Sequence, residues 1–245
     1  MVEQLDYRGC PICRLVEDTE RRVIKSILYE YVNDPGVRQG IRRSWGFCTH
    51  HAWLFLRLAL SPETAGRLGA AIIYEDLVST LIESLGDEKA LSNESLCPVC
   101  RAAMETEEIY VEEFARCYEQ SEWFRKKYAS SRALLCRKHL ISVAKRLGPS
   151  ARRKLIEREK LRLEDIRKRL TSLINKHDYR NREPITKEEQ QALWEAVEAL
   201  RGREVSTNLC TQVPRPRRSS GPLASLLERI TKRSAKTRRD ADKES

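Results

Sequence analysis

The sequence contains an internal repeat that is anchored by four short cysteine motifs. A CPxC motif at Cys10–Cys13 returns 87 residues later at Cys97–Cys100, and a CxxH motif at Cys48–His51 returns 88 residues later at Cys136–His139. Self-similarity at a fixed period indicates a structural unit that occurs twice. The duplicated unit covers about residues 10–86 and 97–176, so whatever fold the chain adopts must accommodate two similar halves.

The apolar residues of each repeat follow a helical spacing. In the first repeat Val16, Val23 and Ile27 recur at intervals of seven and four residues, which is the spacing of a helix face that packs on a core. Ser61 and Pro62 suit the N-cap and first position of a later helix. Strand signals are nearly absent. The sequence therefore predicts an all-α fold of two tandem zinc-stapled helical repeats, followed by a C-terminal helix and a basic, largely disordered tail.

The chain divides into four parts by composition and motif. Thr186 and Glu189 form a capping box that begins a helix reaching to about Leu200. The Pro, Arg and Ser stretch after it has no apolar period and predicts disorder. A short amphipathic helix is predicted within that tail at Pro222–Lys232. The predicted domains are a first zinc-binding repeat at 1–90, a second at 91–178, a loop and capped helix packing on the repeats at 179–204, and the basic tail at 205–245.

Each repeat supplies three cysteines and one histidine at metal-ligand spacing. Such Cys3His sets hold zinc tetrahedrally, and a closed shell of four protein ligands is typical of a structural site. A CxxH motif that begins a helix places both side chains on one face, near the positive helix end that favours thiolate. We therefore expect two Zn²⁺ per chain. The candidate ligands are Cys10, Cys13, Cys48, His51, Cys97, Cys100, Cys136 and His139.

Other interpretations of the cysteines remain open. CPxC resembles a dithiol redox motif, although that motif is expected once, after a strand. An iron–sulfur cluster and buried free thiols are further alternatives. Cys117 and Cys210 have no counterpart in the other repeat and are expected to be ordinary thiols. His50 is expected to be a surface residue at a helix start, because His139 aligns with His51.

The pairing of the motifs is a separate question. We expect each repeat to close its own site, because the 34 residues between Cys13 and Cys48 predict a helical hairpin that brings its ends together. The alternative is a crossed arrangement, in which the two repeats exchange halves.

The positive charge of the chain is concentrated toward its C-terminus. Residues 1–150 hold 21 Lys+Arg and 21 Asp+Glu, and residues 151–245 hold 25 and 15. From Val205 onward there are ten Lys+Arg, four Asp+Glu and no aromatic residue, so this part can contact phosphates but cannot stack on bases. The leading hypothesis is RNA or ribosome binding; the alternatives are a protein-interaction adaptor and a merely solvated tail. The candidate nucleic-acid contacts are Arg215, Arg217, Arg218, Arg229, Lys232, Arg233, Lys236, Arg238 and Arg239.

Several functional classes are disfavoured. HExxH, GxSxG and phosphate-binding glycine loops are absent from the sequence, so we expect neither an enzyme nor a small-molecule substrate. The run His177–Arg180 is interpreted as a connector, with a ligand pocket as the alternative. No stretch approaches the ~20 apolar residues of a membrane span. The start of the chain lacks a basic and apolar leader, so we expect a cytoplasmic protein.

Together these motifs resemble a prokaryotic domain-of-unknown-function family, DUF6062, built from paired CxxC and CxxH units. The resemblance rests on the runs Cys10–Cys13, Tyr29–Pro35, Gly46–His51, Tyr74–Leu77 and His177–Arg180, and it covers about residues 8–203. It implies a zinc-binding helical protein and supplies no activity.

Overall fold

The computed structural model describes residues 1–62, 65–92, 95–178, 180–181 and 183–205. Within them the protein is helical and contains no strand, which confirms the all-α prediction; Gly9 and Ala133 form an isolated parallel bridge. A short 3-10 helix spans Val2–Asp6. The α-helices are α1 (Pro11–Tyr29), α2 (Pro35–Arg43), α3 (Thr49–Leu60), α4 (Arg67–Ser84), α5 (Glu88–Ser92), α6 (Pro98–Gln120), α7 (Glu122–Ser130), α8 (Arg137–Ala144), α9 (Pro149–Lys176) and α10 (Lys187–Arg201).

The helices of the two repeats correspond one to one. α1 to α4 are matched in the same order by α6 to α9, and equivalent helices begin with equivalent caps. Asp34 accepts a hydrogen bond from the Val37 N–H at 2.8 Å to cap α2, and Ser121 accepts one from the Phe124 N–H at 3.1 Å to cap α7. Side-chain caps of this kind satisfy backbone donors that the first helical turn leaves unpaired. The repeat in the sequence is therefore a repeat of structure.

The capping box predicted for α10 is confirmed. The Thr186 hydroxyl accepts from the Glu189 N–H at 3.2 Å, and the Glu189 carboxylate accepts from the Thr186 N–H at 2.7 Å. The start predicted for α4 is wrong, because α4 begins at Arg67 and Ser61 instead ends α3. Its N–H donates to the Leu58 carbonyl, and Pro62 follows, as prolines commonly do after a helix end.

The described residues form two compact units whose boundaries differ from those of the repeats. Unit I comprises Met1–Val16 and the described residues from Glu107 onward; unit II comprises Glu17–Thr106. The division falls inside α1 and α6, so each unit contains residues from both repeats.

The core of unit II fixes the chain segment that leads into the first CxxH motif. The rings of Phe47 and Phe55 stack at 4.8 Å, and Tyr74 packs edge-on against Phe55. Gly46 has a φ of +96°, a conformation that favours glycine, and a Cβ there would lie 3.0 Å from the Leu77 side chain. The turn after α2 therefore places Cys48 at the edge of this core in a defined orientation.

The core of unit I is built from aromatic side chains and from the long helix α9. Phe114 packs edge-on against Phe124 and Tyr128, at 5.3 and 5.1 Å. α10 lies against α9, where Ile166 and Ala192 are buried in one small cluster. These contacts hold in place the loop that leads into the second CxxH motif.

Candidate metal centres

Two groups of four buried or partly buried ligand-type side chains converge in the structure. In each group the three sulfurs and one imidazole nitrogen lie within 4.8 Å of one another. The two groups account for all eight candidate ligands. The Cys10 cluster consists of Cys10, Cys13, Cys136 and His139, and the Cys97 cluster consists of Cys48, His51, Cys97 and Cys100.

The expectation that each repeat closes its own site is wrong. Each cluster takes its CxxC motif from one repeat and its CxxH motif from the other. Cys48 Sγ lies against Cys100 Sγ, 52 residues later, and Cys13 Sγ lies against Cys136 Sγ, 123 residues later.

All four motifs begin a helix. Cys48 and Cys136 are the N-caps of α3 and α8. The carbonyls of Cys10 and Cys97 accept from the N–H groups four residues later, at the starts of α1 and α6. Two helix N-termini therefore face each cluster. Their positive ends stabilise thiolates and offset the net negative charge of a Cys3His zinc centre.

Backbone hydrogen bonds align the two motifs of each cluster. The Leu134 N–H donates to the Gly9 carbonyl at 3.1 Å beside the Cys10 cluster, and the Ser95 N–H donates to the Arg43 carbonyl at 2.8 Å beside the other. Gly9 has a φ of +85°, a conformation that favours glycine, and a Cβ there would contact the Glu198 carboxylate. Glycine is therefore favoured where the chain enters the first CxxC motif.

The spacing of the donor atoms fits one tetrahedral ion in each cluster. Zinc bonds of about 2.3 Å to sulfur and about 2.0 Å to nitrogen place neighbouring donors roughly 3.5 to 3.8 Å apart. In the Cys10 cluster Cys13 Sγ lies 3.8 Å from Cys136 Sγ, and Cys10 Sγ lies 3.3 Å from His139 Nδ1. In the other cluster Cys48 Sγ lies 3.4 Å from Cys100 Sγ. The donor atoms could hold a metal ion with only small adjustments.

The protonation of the thiols follows from their crowding. Burial raises the pKa of Cys10, and hydrogen bonds with Cys13 and Cys136 raise it further. Hydrogen bonds with Cys10 and Cys136 lower the pKa of Cys13. Cys10 therefore holds its proton more firmly than Cys13, because adjacent negative charges repel. A divalent cation would allow all three sulfurs to ionise, with release of protons.

The Cys97 cluster has the same electrostatic character. Hydrogen bonds with Cys100 and Cys97 lower the pKa of Cys48, and hydrogen bonds with Cys48 and Cys97 raise that of Cys100. Burial lowers the pKa of His51, but hydrogen bonds with Cys48, Cys97 and Glu20 outweigh it and raise the value to about 11. A metal ion in this cluster would therefore compete with a proton for the His51 imidazole.

Each ligand histidine also faces a buried glutamate that the sequence reasoning missed. Glu107 Oε1 lies 2.9 Å from His139 Nε2, and Glu20 Oε1 lies 3.4 Å from His51 Nε2. A signal for these residues was present, because Glu20 and Glu107 are in register at the 87-residue period. His50 is not a simple surface residue, since its side chain is only 16% exposed and its Nε2 lies 3.8 Å from Glu20 Oε2.

The remaining predicted residues lie away from the clusters or outside the described chain. Cys117 donates a hydrogen bond to Glu113 at 3.5 Å, and burial raises the pKa of its thiol. Arg180 pairs with Asp178 in the loop after α9. Cys210, the predicted helix at Pro222–Lys232 and all nine candidate nucleic-acid contacts lie outside the described residues. Across the described part of the chain, every helix is too short or too polar to cross a membrane.

The chain is similar to known sequences over most of its length. The sequence model of the "Family of unknown function (DUF6062)" matches it twice, over residues 5–95 and 86–207. The "Uncharacterized 23.9 kDa protein in xynA 3'region" of Caldicellulosiruptor sp. (strain Rt8B.4) is 30% identical over 210 residues, which covers 82% of this chain and 99% of the relative. No solved structure gives a significant match. Each family match contains one CxxC and one CxxH motif.

Proposed function

The chain belongs to the family of unknown function DUF6062, and we propose that it binds two zinc ions that hold a non-enzymatic helical scaffold together. One observation carries this proposal: three sulfurs and one imidazole nitrogen converge twice, within 4.8 Å, at helix N-termini. A bound cation would let the adjacent thiol and imidazole groups of each cluster act together as ligands, with release of their protons.

The donor set supports zinc over the other metals. Zinc commonly binds three thiolates and one imidazole. Four donor atoms within 4.8 Å of one another leave room for a single ion. A cluster of several irons bonds its ligands to different metal atoms and holds them farther apart. A dithiol redox function also fits poorly, because reactive cysteines are partly exposed and both Cys10 and Cys13 are buried.

A structural role is supported by the closed ligand shell. Four protein donors fill a tetrahedral ion, whereas a catalytic zinc keeps a position for water or substrate. The ions would also join parts of the chain that are far apart in sequence. Cys13 and Cys136 are separated by 123 positions, and Cys48 and Cys100 by 52. Links that close such long loops restrict the unfolded chain strongly and favour the folded state.

Metal analysis of protein purified without added metal tests this proposal. We expect two zinc ions per chain by inductively coupled plasma mass spectrometry, and loss of much of the far-UV helical signal after chelation. Cys117→Ser is the matched control and should retain both ions, because Cys117 lies outside both clusters. One zinc, none, or iron with visible absorbance would overturn the proposal.

A second proposal concerns the basic tail. The ten Lys+Arg and four Asp+Glu from Val205 onward support binding to RNA or the ribosome through phosphates. A protein partner is the alternative. Salt separates the two, because phosphate contacts weaken steeply as salt rises, whereas apolar contacts do not.

A further inference from the structure

Two glutamates outside the ligand sets occupy equivalent places beside the two clusters. We propose that Glu107 and Glu20 are positioning residues, which orient the ligand histidines and strengthen zinc binding at the Cys10 and Cys97 clusters respectively. This inference rests on the proposed zinc function and goes beyond it, because it assigns roles to residues that bind no metal themselves.

The geometry at Glu107 carries the inference furthest. His139 Nδ1 lies 3.2 Å from Cys136 Sγ, and the opposite ring nitrogen, Nε2, lies 2.9 Å from Glu107 Oε1. A carboxylate on Nε2 keeps that nitrogen protonated and leaves the Nδ1 lone pair for the metal. Lys138 Nζ donates to the same carboxylate oxygen at 2.6 Å. Glu107 therefore holds both the tautomer and the orientation of the ring.

Glu107 is buried, and both of its neighbours pair with it. Its Oε1 lies 2.9 Å from His139 Nε2 and accepts a hydrogen bond from Lys138 Nζ at 2.6 Å. A buried carboxylate is unfavourable unless it is paired and hydrogen-bonded. Its partners here are the ligand histidine and the residue just before it.

Glu20 repeats the arrangement with looser contacts. His51 Nδ1 lies 3.3 Å from Cys48 Sγ, and Nε2 lies 3.4 Å from Glu20 Oε1. His50, at 3.8 Å, occupies the position that Lys138 has in the other repeat. The longer distances predict a smaller contribution of Glu20 than of Glu107.

The placement of both glutamates is helical. Glu20 follows Cys13 by seven residues on α1, and Glu107 follows Cys100 by seven residues on α6, which is about two turns. Each of these helices, together with the cysteine just before it, thus contributes two members of one cluster, and the same helix brings its glutamate to the histidine of the other. The same pattern in both repeats argues against a chance contact.

Glu107→Gln and Glu20→Gln test the inference, because glutamine keeps the shape and removes the charge. The matched controls are Glu108→Gln and Glu17→Gln, whose carboxylates on the same helices pair with Arg146 and Arg21. Zinc affinity is measured by chelator competition on the full chain. We expect Glu107→Gln to weaken binding of one of the two ions by about 10- to 100-fold. We expect a smaller loss for Glu20→Gln and none for the controls.

A spectroscopic readout separates positioning from a purely structural role. In cobalt-substituted protein, Glu107→Gln should shift the visible bands of one centre, whereas the controls should match the wild type. Glu107→Asp is a second variant, and we expect its zinc affinity to lie between those of the wild type and Glu107→Gln. It replaces Glu107→Gln in the test if that variant does not fold. Wild-type protein that holds no zinc would refute the proposed function itself. Wild type with two zinc ions and glutamate variants equal to their controls would refute only this inference.

Discussion

The exchange of ligand halves can be tested by two double substitutions that differ only in which cysteines they combine. Cys13→Ser with Cys136→Ser removes two ligands of one cluster, and Cys13→Ser with Cys48→Ser removes one ligand from each. The crossed arrangement predicts that the first protein retains one tightly bound zinc and the second retains none. If each repeat closed its own site, these two results would be reversed.

The size of the effect follows from the energy of a structural zinc. Such an ion contributes roughly 10 to 16 kcal/mol of apparent binding free energy. Whole domains are stable by only about 5 to 15 kcal/mol. The Cys10 cluster lies entirely within unit I, so losing its ion should unfold unit I and leave the ion of unit II in place.

Zinc content after desalting against a mild chelator, measured by mass spectrometry, is the primary assay. Limited proteolysis should then show the Cys13→Ser, Cys136→Ser protein cut first in unit I. Cys117→Ser controls for loss of a thiol that is not a ligand. Retention of one zinc by the Cys13→Ser, Cys48→Ser protein, together with none in the Cys13→Ser, Cys136→Ser protein, would refute the crossed assignment.

Three further substitutions or truncations have defined outcomes. Gly9→Ala should lower the melting temperature and make the protein lose zinc more readily, because backbone strain alone reduces the free energy of unfolding by about 1 to 3 kcal/mol. Gly86→Ala is the control: Gly86 also has a positive φ, but a Cβ there would meet no atom within 4 Å, so this variant shows the effect of strain without the clash with Glu198. Glu159→Ala should lower the free energy of unfolding in urea by about 3 to 5 kcal/mol, because it removes a buried carboxylate that pairs with Arg158 and accepts from the Tyr128 hydroxyl and the Leu135 N–H; an equal loss in the exposed Glu157→Ala would contradict this. A chain ending at Arg203 should lose salt-sensitive cosedimentation with RNA or ribosomes, and unchanged binding would remove the tail from the proposal.

The features predicted from sequence were those with local signals. The eight candidate ligands are recognised by residue type and spacing, and the recurrence of each motif 87 or 88 residues later is further evidence for the assignment. The cap of α10 depends on Thr186 and Glu189, which are three residues apart. Such features depend on neighbouring residues and little on how distant segments pack.

The features that were missed depend on tertiary packing or on motifs that fit two interpretations. The exchange of halves pairs segments that lie 52 and 123 positions apart, and residue spacing within one repeat does not determine such pairings. Ser61 and Pro62 fit the end of one helix as well as the start of the next, and the structure uses them as an end. Glu20 and Glu107 read as ordinary polar helix positions until the histidines that face them are located.

The crossed ligands also determine what one repeat could do by itself. A single repeat carries a CxxC half and a CxxH half, but in this arrangement the two halves belong to different centres. Two separate copies could complete both centres only by swapping halves, as in a domain-swapped dimer. The present chain has the connectivity of such a swapped pair joined into one polypeptide, so assembly that would depend on protein concentration becomes intramolecular.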